Sequence, residues 1–480
     1  MLINNEGITM IYFKYCSIRH FVVIVAIGLF PFISGCGFKT DQYSHDILIS
    51  PTSRKVPSNP NDLSITYDYK MKPDGYIVGI EKTRGVGNYL TKCSDKSFEK
   101  QHSSLCETVS SHSHSIWVPD FLEKRMTLTH VVSFSSNAAS PACILFNANS
   151  NKSEVKSNLA PCPNAKINPG SGKFEYMEEA INSIDLLKSD MRAKINKIHP
   201  THIFLVSTGW NTPQGESIQN YNDLFKYVIA ADKNEKGFVP LVVGFSWKSY
   251  MDNVNQGTVD VGVVGNDADE VGIFWAGPIL HKVLEPLGTE YRIPVRLIGH
   301  SFGCRVVTQA LSSKELYEDT PGSSSKPVTY GLQCAFSGNR FAPKKGFWAT
   351  VWKSTFGEND SLENFNEVSE KQFYTTSDLD KAVQEAAGIG IPYVGSKEFF
   401  KITGEDTDFK KIITRSTIEA PDIYVPKLDC NGDKITLINA SKIIKDRAPG
   451  TGEGGGAHSD VWDAEAGDLI WDLLKACENK

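Results

Sequence analysis

The chain has 480 residues, with 50 Lys and Arg against 56 Asp and Glu, a formal net charge of −6 and 40% hydrophobic residues. That length accommodates one large domain and a smaller one, with ample residues for a buried core. The modest acidity argues against a nucleic-acid binder, which would show a basic face, so no nucleic-acid partner is expected.

At the N-terminus, Lys14 and Arg19 precede the apolar run FVVIVAIGLFPFI (21–33). The run is too short and too interrupted by proline to span a bilayer comfortably. It closes on ISGC (33–36), small residues immediately before a cysteine. This resembles a bacterial lipobox, which implies that Cys36 becomes the lipidated first residue of the mature chain; a plain signal peptide and an uncleaved anchor are the alternatives. Gly37, not Asp, follows the cysteine, and resemblance to Gram-negative lipoproteins then implies the outer membrane. The expected organisation is a lipoprotein signal peptide over 1–36, lipid on Cys36 as the membrane contact, and a polar Pro- and Ser-bearing tether over 37–62.

Export makes the remaining cysteines candidates for disulfides. Cys93/Cys106 and Cys143/Cys162 would each close a short polar loop, with buried thiols as the alternative. Cys304/Cys334 and Cys430/Cys477 are further candidate pairs, and connectivity stays open. No C-x-x-C pair occurs, and no metal is expected. Residues 63–170 hold short alternating stretches, GYIVGIE, TLTHVVSFS and ACILFNA among them, between Gly, Asn, Ser and Pro clusters. They predict a small β-rich, disulfide-bearing N-terminal region, in part the leading strands of the main domain.

The pattern changes over 171–480. Helical spacing in 174–197 leads into the apolar run THIFLVSTGW (201–210), and helical 217–232 into VPLVVGFSW (239–247). A helix over 267–287 precedes IPVRLIGH (293–300), and further strands are predicted in 328–338, 370–377 and 433–441, before a last amphipathic helix over 463–477. Near-continuous apolar strands between helices predict an α/β domain with a mostly parallel sheet covered on both faces.

Within it stands RLIGHSFGCRVVTQAL (296–311). A G-x-S-x-G match alone arises by chance in roughly one chain in five of this length, so its setting decides. Here an apolar strand runs into Gly299-His300-Ser301-Phe302-Gly303 and a helix follows. That is where a tight turn would expose Ser301 at a strand's carboxyl end, under the positive end of a helix.

Together with STGWNT (207–212) and GFSWKS (244–249), this elbow makes the chain from about 174 onward similar to α/β-hydrolase-fold proteins, near the bacterial esterase/lipase-like serine hydrolases. The resemblance implies a Ser-Asp-His triad, an acyl-enzyme intermediate, an acyl-ester substrate and no cofactor. It also implies an oxyanion hole from the backbone N–H groups of Trp210 and Phe302, with Gly209 letting the loop approach. The family's His in the loop is Thr208 here; the donors are backbone, so the hole is expected to persist with its loop held differently. The fold's chain order puts the acid after Ser301 and the histidine last. FYTTSDLDKAVQEA offers Asp380, with Asp378 as the alternative acid, and either would also suit a helix N-cap. His458 follows a Gly-rich stretch and precedes the last helix, which makes it the candidate base.

Other features carry less. Gly450, Gly452 and Gly455 match G-x-G-x-x-G but do not join a strand to a helix. His112 and His114 read as loop, and DCNGD (429–433) lacks the spacing of a calcium loop. Residues 341–356 carry five aromatics and suit a lid, an acyl-pocket wall or ordinary packing over the sheet. A peptidase or acyltransferase on the same scaffold, or a non-catalytic binding lipoprotein of the envelope, are the competing readings.

Overall fold

Among the residues described, eleven strands form one mixed sheet. The computed structural model describes residues 62–63, 72–84, 96, 124–136, 142–147, 156–157, 159–167, 176–210, 212, 214–232, 237–247, 258–317, 326–341, 369–385, 392–418, 435–445 and 456–478. Residues 1–36 with Cys36, the tether to residue 61, Cys93, Cys106, His112, His114, Cys430, the glycines of 450–455 and all of 342–356 lie outside that set.

In chain order the strands are β1 (Asp62–Leu63), β2 (Asp74–Arg84), β3 (Lys124–Phe134), β4 (Cys143–Asn147), β5 (Lys156–Ser157), β6 (Pro161–Ile167) and β7 (His202–Ser207). They continue with β8 (Pro240–Trp247), β9 (Val295–His300), β10 (Val328–Leu332), β11 (Lys371–Thr376), β12 (Ile413–Thr417) and β13 (Ile435–Asn439). The sheet order is β12-β13-β11-β10-β9-β7-β8-β2-β3-β4-β6, while β1 and β5 form a separate parallel pair. From β12 across to β2 every pairing is parallel; β3 is antiparallel to both of its neighbours. The stretch that reads as a β-rich N-terminal region therefore supplies β2, β3, β4 and β6 to the same sheet, and Cys143–Cys162 ties β4 to β6.

Every residue of β7, β8 and β9 is buried, as a central strand covered on both faces requires. Alternate side chains serve two cores. Ile203 and Leu205 pack with α1 (Tyr176–Ile198), α3 (Thr258–Val271) and α5 (Phe302–Ser312), while Phe204 and Val206 pack with α2 (Gln214–Ala231) and a C-terminal helix, Ala464–Glu478. In α1 the buried residues Ala180, Ile184, Leu187, Met191 and Ile195 recur every three or four positions, one stripe facing the sheet. The helix stops at His199, in left-handed backbone at φ 48°, just before Pro200. The predicted helix over 267–287 is one continuous rod of mixed pitch. After α3 it widens into π-turns at Gly272–Ala276 and Ile279–Leu284, on either side of Pro278, and resumes as α4 (Glu285–Tyr291).

The order of connection fixes where a site can form. From β7 the chain steps to β8 on one side, and β9 then docks on the other side of β7. The loops leaving β7 and β9 diverge there, and such a switch point opens a crevice at the carboxyl ends of the strands. Ser301 follows β9 and Gly209 follows β7.

Candidate active site

Ser301 sits at φ 55° and ψ −125°, an orientation that L-residues rarely adopt. Such strain costs about 1–3 kcal/mol and lasts only where the surroundings over-determine it. Here they do. The Ser301 N–H donates to Leu332 O (3.1 Å), and the Ser301 carbonyl accepts from Cys304 N and Ala335 N, each at 3.1 Å. The Cys304–Cys334 disulfide joins the same two segments, the first turn of α5 and the end of β10. Gly303 is needed because a Cβ there would collide with the Ser207 carbonyl. Gly209 lets the loop after β7 reach the serine, since a Cβ on it would fall 2.8 Å from Ser301 Oγ.

That loop carries the predicted oxyanion donor Trp210, whose ring meets the ring of Phe302 edge to face at 6.4 Å. The departure at Thr208 has its own support. Thr208 N–H donates to Tyr221 Oη (3.0 Å), its Oγ1 bonds Ser217 Oγ (2.8 Å), and its carbonyl accepts from Trp247 Nε1 (3.0 Å). The Thr208 amide is thus occupied by Tyr221.

His458 lies in a short 3-10 turn, Gly456–His458, and its Nδ1 donates to Asp380 Oδ2 at 2.8 Å. Asp380 follows β11 and is fully buried, while the His458 side chain keeps 11% of its surface exposed. The carboxylate divides its work. Oδ1 caps the helix Lys381–Glu385 by accepting from Val383 N (3.3 Å), while Oδ2 faces the imidazole. The N-cap bond and the bond to His458 therefore coexist in one residue. Asp378, the alternative acid, has its N–H bonded to Ser441 Oγ (2.8 Å) and is not His458's partner.

Two residues that the sequence reading passed over complete the site. Gln333 is buried just past β10 at φ 49°. With its amide nitrogen turned to the available acceptors, it donates to Asp380 Oδ2 (2.9 Å) and Gly395 O (3.2 Å). His300, between Gly299 and Ser301, places Nε2 2.8 Å from the His458 carbonyl, with the two rings 4.9 Å apart. Through that contact the 3-10 turn of His458 is brought beside the elbow. The hydrogen bond between Asp380 and His458 is present, whereas none joins Ser301 Oγ to the His458 ring among the described residues. Such bonds often close only around substrate. Nothing in the sequence marks Gln333, which lies in a run that reads as strand.

Below the elbow helix, Arg305 grips Asp269 of α3 with Nε (2.7 Å) and Nη2 (2.5 Å), and Arg340 Nη2 reaches both carboxylate oxygens (3.1 and 3.0 Å). All three side chains are buried, so the trio clamps α5 from beneath. No cluster of metal-ligating side chains occurs among the described residues, and no described helix is long and apolar enough to cross a membrane.

No protein-family model matches the chain, and no curated protein matches it. Among solved structures, a lipase-esterase related protein from Clostridium acetobutylicum ATCC 824 aligns at 14% identity and a TM-score of 0.23. The alignment covers 57% of this chain and 94% of that one. A match so loose says nothing of chemistry; the chain itself is an α/β protein with a mostly parallel, mixed sheet and two disulfides among its described residues.

Proposed function

We propose that the chain is a serine hydrolase of the α/β-hydrolase fold that cleaves acyl esters, with Ser301 as nucleophile, His458 as base and Asp380 as the acid that orients it. The observation that carries this reading is the 2.8 Å bond from His458 Nδ1 to a fully buried Asp380, held beside a strained serine at a strand-to-helix turn. Asp380 on Nδ1 leaves Nε2 as the atom for proton transfer. Ser301 Oγ loses its proton to that nitrogen as it bonds the acyl carbon. The carbonyl oxygen turns anionic against the N–H groups of Trp210 and Phe302 and the positive end of α5. The tetrahedral adduct expels the alcohol, which takes the proton from His458. Water, deprotonated by the same imidazole, then splits the acyl-enzyme into acid and free serine. Two backbone donors of this kind each supply about 3–4 kcal/mol of transition-state stabilisation.

The proposal extends to place and anchor. Signal peptide 1–36, lipid on Cys36 and an outer-membrane location rest on the sequence, and the two disulfides fit an oxidising compartment. The division into tether, N-terminal region 63–170 and hydrolase domain 171–480 is likewise proposed. Ester cleavage is preferred to peptide cleavage, acyl transfer or a purely binding role, because a binding scaffold would gain nothing from a serine held in costly backbone. The test is a fluorophosphonate probe. Covalent labelling of wild type, abolished in Ser301→Ala, is expected; a folded wild type that stays unlabelled would overturn the reading.

A further inference from the structure

We infer that His300 is a positioning residue for the candidate base: its Nε2–H fixes the main chain of His458, and through it the imidazole, beside the elbow. The inference rests on the proposed roles of Ser301 and His458 and adds to them a residue that neither needs for its own chemistry.

A carbonyl can only accept, so the 2.8 Å contact between His300 Nε2 and His458 O defines which atom carries the proton. The neutral ring then has its hydrogen on Nε2. Burial, and after it the neighbouring His458, push the His300 ring down to about 3, so the ring stays neutral at ordinary pH. With one nitrogen committed as a donor and so little basicity, His300 is no competitor for the proton of Ser301, although it adjoins that residue. What it offers is attachment. His300 belongs to β9, a central buried strand, whereas His458 sits on a 3-10 turn before the last helix.

A second contact sets the ring that makes this bond. Trp462 meets His300 edge to face at 5.1 Å and meets Tyr221 in the same manner at 6.5 Å. Tyr221 is the residue that accepts from Thr208 N–H in the loop approaching Ser301. The stack Tyr221–Trp462–His300 therefore connects the support of the candidate oxyanion loop to the support of the candidate base. A ring held only for packing would not also direct a hydrogen-bond donor at the carbonyl of the one residue that must stay in register with Ser301.

The test compares His300→Phe, which keeps a ring against Trp462 but removes the donor, with His300→Gln, which keeps a donor at similar reach. Full-length wild type and both variants are measured for fluorophosphonate labelling rate, for kcat and KM on a short-chain acyl ester, and for Tm. The expected result is a wild type that labels, a kcat for His300→Phe lowered by a factor of 10 or more at unchanged KM, and recovery of most of that loss in His300→Gln. Wild-type kcat and labelling in His300→Phe would overturn the inference, as would an equal loss in both variants, which assigns the ring to packing. A wild type that never labels would instead overturn the underlying hydrolase reading. If His300→Phe fails to fold, ring nitrogen NMR shifts of the wild type decide: protonation on Nε2 at neutral pH is expected, and a proton on Nδ1 alone would overturn it.

Discussion

Gln333 and His458 converge on a single atom: both donate to Asp380 Oδ2, at 2.9 Å and 2.8 Å. A carboxylate oxygen in a buried setting holds its charge through such donors, and each bond to an ionised group contributes about 1.5–3 kcal/mol. The lone pairs of Oδ2 are fixed in direction by Gln333, which in turn fixes where the imidazole must lie. Replacing Gln333 by Leu is expected to lower kcat about 10- to 100-fold, from the energy of one such bond, with KM little changed. Steady-state kinetics on an ester substrate check it, and an unchanged kcat would show the amide to be idle.

Asp380→Asn should cost more. The amide would favour the wrong tautomer of His458, an effect worth about four orders of magnitude in kcat where a buried Asp orients a catalytic imidazole. Asp378→Asn, two residues away and bonded to Ser441 through its backbone N–H, should stay within about twofold of wild type. Parallel assays of the two variants separate the residues that the sequence alone leaves as alternatives.

Asp269 neutralises two buried guanidinium groups, those of Arg305 and Arg340. Removing it takes that carboxylate from both cations, and breaking a buried pair in this way costs about 3–5 kcal/mol. Asp269→Ala should therefore lose that much stability in urea unfolding, while any residual folded protein still labels at Ser301. A loss below about 1 kcal/mol would mean that water or other groups already solvate the arginines.

The Cys304–Cys334 bond closes a loop with a sequence separation of 30 residues. On the chain-entropy account, a loop of that size stabilises the folded state by about 3–4 kcal/mol. The Cys304→Ala/Cys334→Ala double variant should unfold at correspondingly lower urea, and its labelling rate should fall as well, because the bond holds the elbow helix against β10. A stability change with no change in labelling would confine the bond to a scaffold role.

Acid should weaken the fold through His130. The ring is fully buried against Thr129 and Gln214, and burial pushes it down to about 4. In the unfolded chain the same ring titrates near 6.5, so the unfolded state takes up its proton first as pH falls. The contribution is complete above about pH 6.5 and is lost on the way to about pH 4, on the order of 3 kcal/mol in total. Urea unfolding at several pH values in this window should show that slope, flatter in His130→Leu; identical slopes would place the acid sensitivity elsewhere.

How much of this was legible in the sequence depends on how local its cause is. The elbow could be read because strand, turn and helix are consecutive in RLIGHSFGCRVVTQAL, and His458 because it precedes the last amphipathic helix. The strand β12 escaped notice, since of Ile413–Thr417 only Ile413 is buried and an edge strand leaves no alternation to find. Gln333 escapes for another reason: it acts on a residue that only sheet order brings near, from the end of β10 onto the loop after β11, while Tyr221 reaches back from α2 onto the loop after β7, a contact no local pattern marks. The N-terminal strands were visible as strands, but nothing in their own residues says that β2 pairs with β8, more than 150 positions later.

The backbone of Ser301 also bears on stability. At φ 55° a glycine would rest more comfortably than any other residue. Ser301→Gly should therefore yield a protein that melts later and, on the proposed mechanism, is blind to the probe: relief of the corner and loss of the hydroxyl would arrive in one substitution.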